Sequence, residues 1–419
     1  MKKIIYLYLL TINLQDIILR IIYGDITGGF HPGIVIKGFV LFALFVYCFG
    51  ELSKGIAKNV FTYSILFFFI LYFFQIIFVE IAQFDFEFLA QSFSFTIKIF
   101  LYLLIAYYVF KNSEYFIEKL DNILLFNVIV VLINIIGGYY FKVGGQSYEA
   151  LEDSYRGFLA GNDTSIFSFV SFGYGLYIYK KNRFLSLLIV LSSVFAMYII
   201  ATKAFFVAGI VLFLYLVFDR KMKLKYIFPF FLILLIVATF AQTNDSVVFL
   251  DRLFVNYNSS LEQADVMLAT VSYGDSFILK TLNNIAPGRM VYGVFMLITL
   301  FTDNIINILL GYGVGGIYNA FGRPPMMDIL MIMGVYGVFG FFTIYIPLFT
   351  MIGKLIRHKD FDLVGGLFFT IFLYGALGGF LLGYAGTSSI FALLFGIMMS
   401  RYYRSTIKKA IYETGTGRY

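Results

Sequence analysis

The sequence predicts an all-α integral membrane protein of about twelve transmembrane helices, with a large extracytoplasmic loop between helices 9 and 10. Three observations predict it. Of the 419 residues, 61% are hydrophobic and only 13% charged, where soluble proteins average about a quarter charged. Apolar runs of bilayer-crossing length recur along the whole chain, and mean hydropathy is +0.88. Lys and Arg collect in alternate connections between those runs, as the positive-inside rule requires.

The predicted spans are 4–21, 34–50, 59–80, 91–110, 120–140, 160–179, 184–201, 203–218, 226–243, 327–352, 362–382 and 387–402. Basic connections hold Lys54 and Lys58, then Lys111 and Lys119, then Lys180, Lys181 and Arg183. Arg220, Lys221, Lys223 and Lys225 follow, then Lys354, Arg357 and Lys359. Lys2, Lys3 and the tail (Arg401, Arg404, Lys408, Lys409, Arg418) belong to the same set. The intervening connections are poor in cations and partly acidic, with Asp85 and Glu87, then Glu149, Glu152 and Asp153. This alternation puts both termini in the cytoplasm of a multi-pass protein.

The chain divides into helices 1–9 (1–243), an extracytoplasmic loop (244–326), helices 10–12 (327–404) and a cytoplasmic tail (405–419). The loop has too many aromatic and aliphatic residues for disorder. It is expected to form a helical cap, with an interfacial or re-entrant helix near 291–301. No cleavable signal peptide is evident, because Gln15, Asp16 and Arg20 interrupt the first apolar run. Gly375, Gly379 and Gly383 stand at the four-residue spacing that lets helix backbones approach, which reads as packing.

The single cysteine, Cys48, excludes internal disulfides, and His31 and His358 fall on opposite sides. No metal site and no cofactor is expected. The net charge of +7 reads as cytoplasmic loops rather than a nucleic-acid surface. P-loop, Gly-x-Ser-x-Gly and metal-helix motifs are absent.

Ionisable residues near membrane depth are costly and mark functional sites. Five are expected on the extracytoplasmic side: Lys203, Arg156, Arg289, Arg323 and Asp328. Arginine offers a planar fork for phosphate oxygens and lysine a point charge. Four such cations suit a diphosphate leaving group. Asp328 opens a helix, where a carboxylate serves equally as a cap for free amides or as a base for a hydroxyl. Arg323 and Lys98 also read as snorkelling or structurally paired side chains.

At these residues the sequence resembles the bacterial O-antigen polymerase (Wzy) family and, more distantly, the O-antigen ligases. The resemblance lies in Ala201-Thr202-Lys203-Ala204 and Arg289 in the large loop. It continues in Leu310-Gly311-Tyr312-Gly313-Val314-Gly315-Gly316, then Asp328 and Gly334-Val335-Tyr336-Gly337. The stretch from Arg156-Gly157 to Asn162 is similar to a further family signature. The resemblance implies a GT-C-like, metal-independent glycosyltransferase of the bacterial plasma membrane. Its substrates would be undecaprenyl-diphosphate-linked oligosaccharides. Its partners would be membrane lipids and a chain-length regulator protein, with no nucleic acid. Lys203, Arg289, Arg156 and Arg323 would hold the diphosphate, and Asp328 and Arg289 would be catalytic. Asp328 stands where the ligases carry histidine, which favours a polymerase. A lipid-linked oligosaccharide flippase, an O-antigen ligase and a shape-and-division peptidoglycan polymerase are the competing readings.

The topology predicts that a cysteine replacing Ser272 is labelled by an impermeant thiol reagent in intact cells, and one replacing Asn182 is not. Labelling of both, or of neither, overturns the orientation.

Overall fold

The computed structural model describes residues 1–24, 32–53, 60–80, 86–145, 155–159, 161–179, 181–200, 289–321, 328–377 and 381–413. The predicted spans 203–218 and 226–243, Lys203, Arg323 and most of the 244–326 loop lie outside them. Among the described residues the chain is helical, with one isolated bridge between Gly144 and Gly157.

Seven helices precede the undescribed segment: α1 (Lys2–Tyr23), α2 (Pro32–Ser53), α3 (Val60–Gln75), α4 (Phe86–Lys111), α5 (Ser113–Phe141), α6 (Gly161–Ile178) and α7 (Arg183–Ile200). A π turn, Ile76–Glu80, continues α3. Three shorter helices, α8 (Arg289–Thr302), α9 (Ile305–Leu310) and α10 (Gly313–Phe321), follow. The chain then forms α11 (Asp328–His358), α12 (Leu363–Leu377) and α13 (Ala385–Glu413). Among the described residues, six helices are long and apolar enough to cross a membrane: Lys2–Tyr23, Thr62–Val79, Ser92–Lys111, Ser113–Phe141, Arg183–Ile200 and Asp328–His358. Leu363–Ala376 is apolar but shorter. The protein is thus an α-helical membrane protein.

The apolar stretch at 291–301 is helical, as α8, and packs on α11. The connections at Asn112, at 181–182 and at 359–362 mark one end of the bundle, here called the basic end. There Lys181 pairs with Asp121, Arg401 with Asp362 (2.7 Å), and Ser113 Oγ lies 2.6 Å from Ser400 Oγ. The core is aromatic. Tyr102 of α4 stacks on Phe391 and Phe395 of α13, and Phe368 of α12 stacks on the same pair.

The predicted span 327–352 is not one straight helix. Its backbone breaks at Gly337, where φ is 65° and ψ is −165°. Asp328, Tyr345 and Leu348 line one small cavity. A straight helix, rising about 1.5 Å per residue, would hold Asp328 and Tyr345 roughly 25 Å apart. The segment 328–336 therefore doubles back along the rest of α11. The two glycine-rich stretches cause the reversal. Gly311 (φ 79°) lies against the Val335 carbonyl, and Gly337 lies against Leu309 and Gly311. Neither site has room for a Cβ, and L residues avoid that φ. The break frees carbonyls in the packed interior, where an unsatisfied one is costly. Gln75, fully buried in α3, donates its side-chain amide to the Leu310 (3.3 Å) and Val335 carbonyls. Tyr312 N–H donates to the Gly334 carbonyl at 2.8 Å.

Replacing Gly311 with Ala should lower stability by about 2–4 kcal/mol, combining the left-handed backbone with overpacking. Gly38→Ala, at a helical glycine with nothing within 4 Å of its Cβ position, should leave it nearly unchanged. Thermal unfolding in detergent compares them, and equal melting temperatures would refute the close-crossing account.

Candidate functional site

Helix rise places a set of polar side chains at one depth. Lys98 lies thirteen residues before Lys111, Asp163 fifteen before Ile178, Thr387 fourteen before Arg401, and Asp16 fourteen after Lys2. At about 1.5 Å per residue each sits roughly 20–23 Å from the basic end. The helices α6, α12 and α13 begin or end at this level, whereas α5 continues for about 20 Å more. Three helix termini thus meet inside the bundle.

Helix ends carry unpaired amides, and two aspartates supply acceptors. The turn between α12 and α13 presents the Leu381 and Leu382 N–H groups to Asp328, at 2.8 Å to Oδ2 and 3.1 Å to Oδ1. Asp328 is 2% exposed. Gly375 of α12 leaves room for it, since a Cβ there would stand 2.7 Å from Oδ2. From the first turn of α6, Asp163 (3% exposed) accepts the Thr387 hydroxyl at 2.8 Å and the Thr387 N–H at 3.4 Å, both on Oδ1. The Thr387 hydroxyl also lies 3.3 Å from the Leu381 carbonyl, so the two aspartates brace the same turn.

The first turn of α13 is small and polar, Gly386-Thr387-Ser388-Ser389. Asn13 of α1 packs its Oδ1 against Gly386, donates to Asn127 Oδ1 at 2.8 Å, and is fully buried. Beside it Lys37 pairs with Asp16 at 2.9 Å. The charges of Lys37, Asp16, Asp163 and Arg20 act on Lys98, which is only part-buried despite its depth. Lys98 makes no hydrogen bond or ion pair among the described residues.

The predicted site residues distribute unevenly. Asp328 lies within the buried layer, with both oxygens on backbone amides. Arg156 lies above it. Its carbonyl accepts Asn134 Nδ2 at 3.1 Å, and Asn134 Oδ1 accepts the Phe158 N–H at 2.8 Å. Asn134 stands twenty-one residues into α5, roughly 32 Å from the basic end. Arg156 and Asp328 are thus on one side of the bundle at different depths. Arg289 is the first residue of α8. Lys203 and Arg323 lie outside the described residues. Sequence reasoning gave Lys98 no role beyond snorkelling or structural pairing and did not single out Asp163 as ionisable. The small polar run 386–389, inside an apolar span, was the available signal. Among the described residues no three His, Cys, Asp or Glu side chains are grouped to hold a metal ion.

Asp328→Asn should destabilise the protein by about 1–3 kcal/mol, because an amide NH₂ would oppose a backbone N–H in a dry site. Thermal unfolding of the detergent-solubilised variant tests this, and an unchanged midpoint would refute the bracing role. Neither a protein-family model nor a curated protein matches this chain, so its function is argued from the site itself.

Proposed function

We propose that the chain is a metal-independent glycosyltransferase that polymerises polysaccharide, of the O-antigen, capsule or exopolysaccharide kind. It would transfer a growing glycan from undecaprenyl diphosphate to a lipid-linked repeat unit at the outer face of the bacterial plasma membrane. The observation that carries this reading is the gathering of ionisable side chains in one half of the bundle. Asp16, Lys37, Lys98, Asp163 and Asp328 form a layer well away from the basic end, with Arg156 above it. Such groups are expensive in hydrocarbon and face functional cavities. Their mixture suits the reaction, because cations stabilise a departing diphosphate and a carboxylate accepts the attacking hydroxyl's proton.

In this reading Lys203, Arg289, Arg156 and Arg323 surround the donor diphosphate. A carboxylate of the buried layer, Asp328 or Asp163, faces the acceptor. The resemblance in 201–204, 310–316 and 334–337 supports the same class. The competing flippase would move the same lipid without making a bond. A chain-length regulator protein would act beside the polymerase.

Purified protein in liposomes, supplied with undecaprenyl-diphosphate-linked repeat units, should produce a ladder of longer glycans. Lys203→Ala and Arg289→Ala should each slow elongation about a hundredfold if they act mainly in the transition state. Arg289→Lys, which keeps charge but not the fork, should be partly active. Translocation of the lipid with no elongation would replace this reading with the flippase.

A further inference from the structure

We propose that Lys98 and Asp163 form one intramembrane site, in which Lys98 binds a phosphate oxygen of a lipid-linked diphosphate and Asp163 accepts the proton of the attacking sugar hydroxyl. The catalytic half of this inference rests on the polymerase reading; the anion-binding half does not.

Packing brings the two together. Helices α4 and α13 run in the same direction and pack along their lengths, with the Tyr102 and Phe391 rings stacked at 5.7 Å between centroids. One helical turn back on each helix are Lys98 and Thr387, four residues before each ring. Thr387 holds Asp163 through its hydroxyl at 2.8 Å. Lys98 is therefore beside the Asp163–Thr387 pair, and the charge of Asp163 acts on it.

The two side chains are unspent. Asp328 uses both oxygens on the Leu381 and Leu382 amides. Asp163 directs both of its hydrogen bonds through Oδ1, and Oδ2 has no partner among the described residues. Thr387 thus holds one oxygen of that carboxylate and leaves the other for a ligand. Lys37 is committed to Asp16, whereas the Lys98 ammonium has no such partner among the described residues. An ammonium and a carboxylate oxygen at this depth, each without a direct partner, call for a ligand with both acceptor and donor groups. A phosphate oxygen next to a sugar hydroxyl supplies both.

The step balances. The acceptor hydroxyl loses its proton to Asp163 Oδ2 as its oxygen bonds to the anomeric carbon. The bond from that carbon to the diphosphate oxygen breaks, and its electron pair leaves on the undecaprenyl diphosphate. The Lys98 ammonium meets that charge as it forms, so its stabilisation is largest in the transition state.

The test uses the full chain in phosphatidylcholine nanodiscs. Undecaprenyl diphosphate without a glycan should bind about tenfold more weakly to Lys98→Gln than to wild type, with Lys98→Arg largely restoring it. Inorganic diphosphate and added phosphatidylglycerol, run as competitors, separate a lipid-linked diphosphate from a free anion or an ordinary headgroup. Competition by phosphatidylglycerol at equal concentration would overturn the diphosphate assignment. Asp163→Asn should leave that binding intact and lower turnover about a hundredfold, with donor half-saturation little changed. Wild-type turnover in Asp163→Asn would overturn the base, and equal binding by Lys98→Gln would overturn the anion site. Should either variant fail to fold, reductive methylation of wild type decides. Undecaprenyl diphosphate should protect Lys98, and equal modification with and without it overturns the site. Binding that depends on Lys98 in a protein that makes no glycan would instead reject the polymerase reading and keep the anion site.

Discussion

Two carboxylates hold a chain reversal inside the bundle, and the arrangement of the described helices depends on them. The turn between α12 and α13 lies roughly 20 Å from the basic end, where its amides have no water to bond. An unsatisfied amide there costs several kcal/mol. Asp328 takes Leu381 and Leu382, and Asp163 takes Thr387. Meeting that demand dictates where other elements go. The helix α6 must start at this depth so that its first turn delivers Asp163. The helix α11 must double back so that its first residue reaches the turn. Position 375 must be glycine, because the Asp328 carboxylate occupies the space a Cβ would take.

The reversal in α11 creates the same problem at a second place and solves it with different chemistry. There the orphaned groups are carbonyls, and the buried Gln75 amide donates to two of them. Gly311 and Gly337 let two backbones touch where side chains would separate them. The two breaks are mechanically linked, since the segment between Gly337 and Asp328 connects them.

The helices were legible because apolar length and alternating charge are local properties. Span 120–140 became α5, which begins seven residues earlier at Ser113, and span 184–201 became α7 with one-residue shifts at its ends. Depth was not legible. A hydropathy window sees 327–352 as a single crossing, since Gly337 is one glycine among many and its φ is set by a contact with Gly311. Span 362–382 likewise read as a full crossing, whereas Leu381 and Leu382 already belong to a turn whose amides Asp328 accepts. Its glycines read as a packing stripe, and Gly375 proved to be the seat of a carboxylate. Asp328 was singled out because an acid at a helix start is conspicuous. That its amides belong to a distant turn depends on tertiary structure. Lys98 sits thirteen residues from the end of α4, and its sequence context alone does not show that Asp163 and Thr387 lie at the same level.

Depth also separates the structural charges from the working ones. An ion pair in hydrocarbon is tolerable when its geometry is good, and Lys37 with Asp16 at 2.9 Å meets that condition. A carboxylate with two amide donors is likewise at rest, which describes Asp328. Lys98 and Asp163 are different: they are placed at one level, the charge of Asp163 acts on Lys98, and the two make no direct contact among the described residues. Selection for stability alone would close such a gap or replace both residues with apolar ones at little loss. Local rules are broken where function requires it. Here the Thr387 hydroxyl keeps Asp163 on α13, and the Tyr102–Phe391 stack sets Lys98 at the same level, without joining the two side chains.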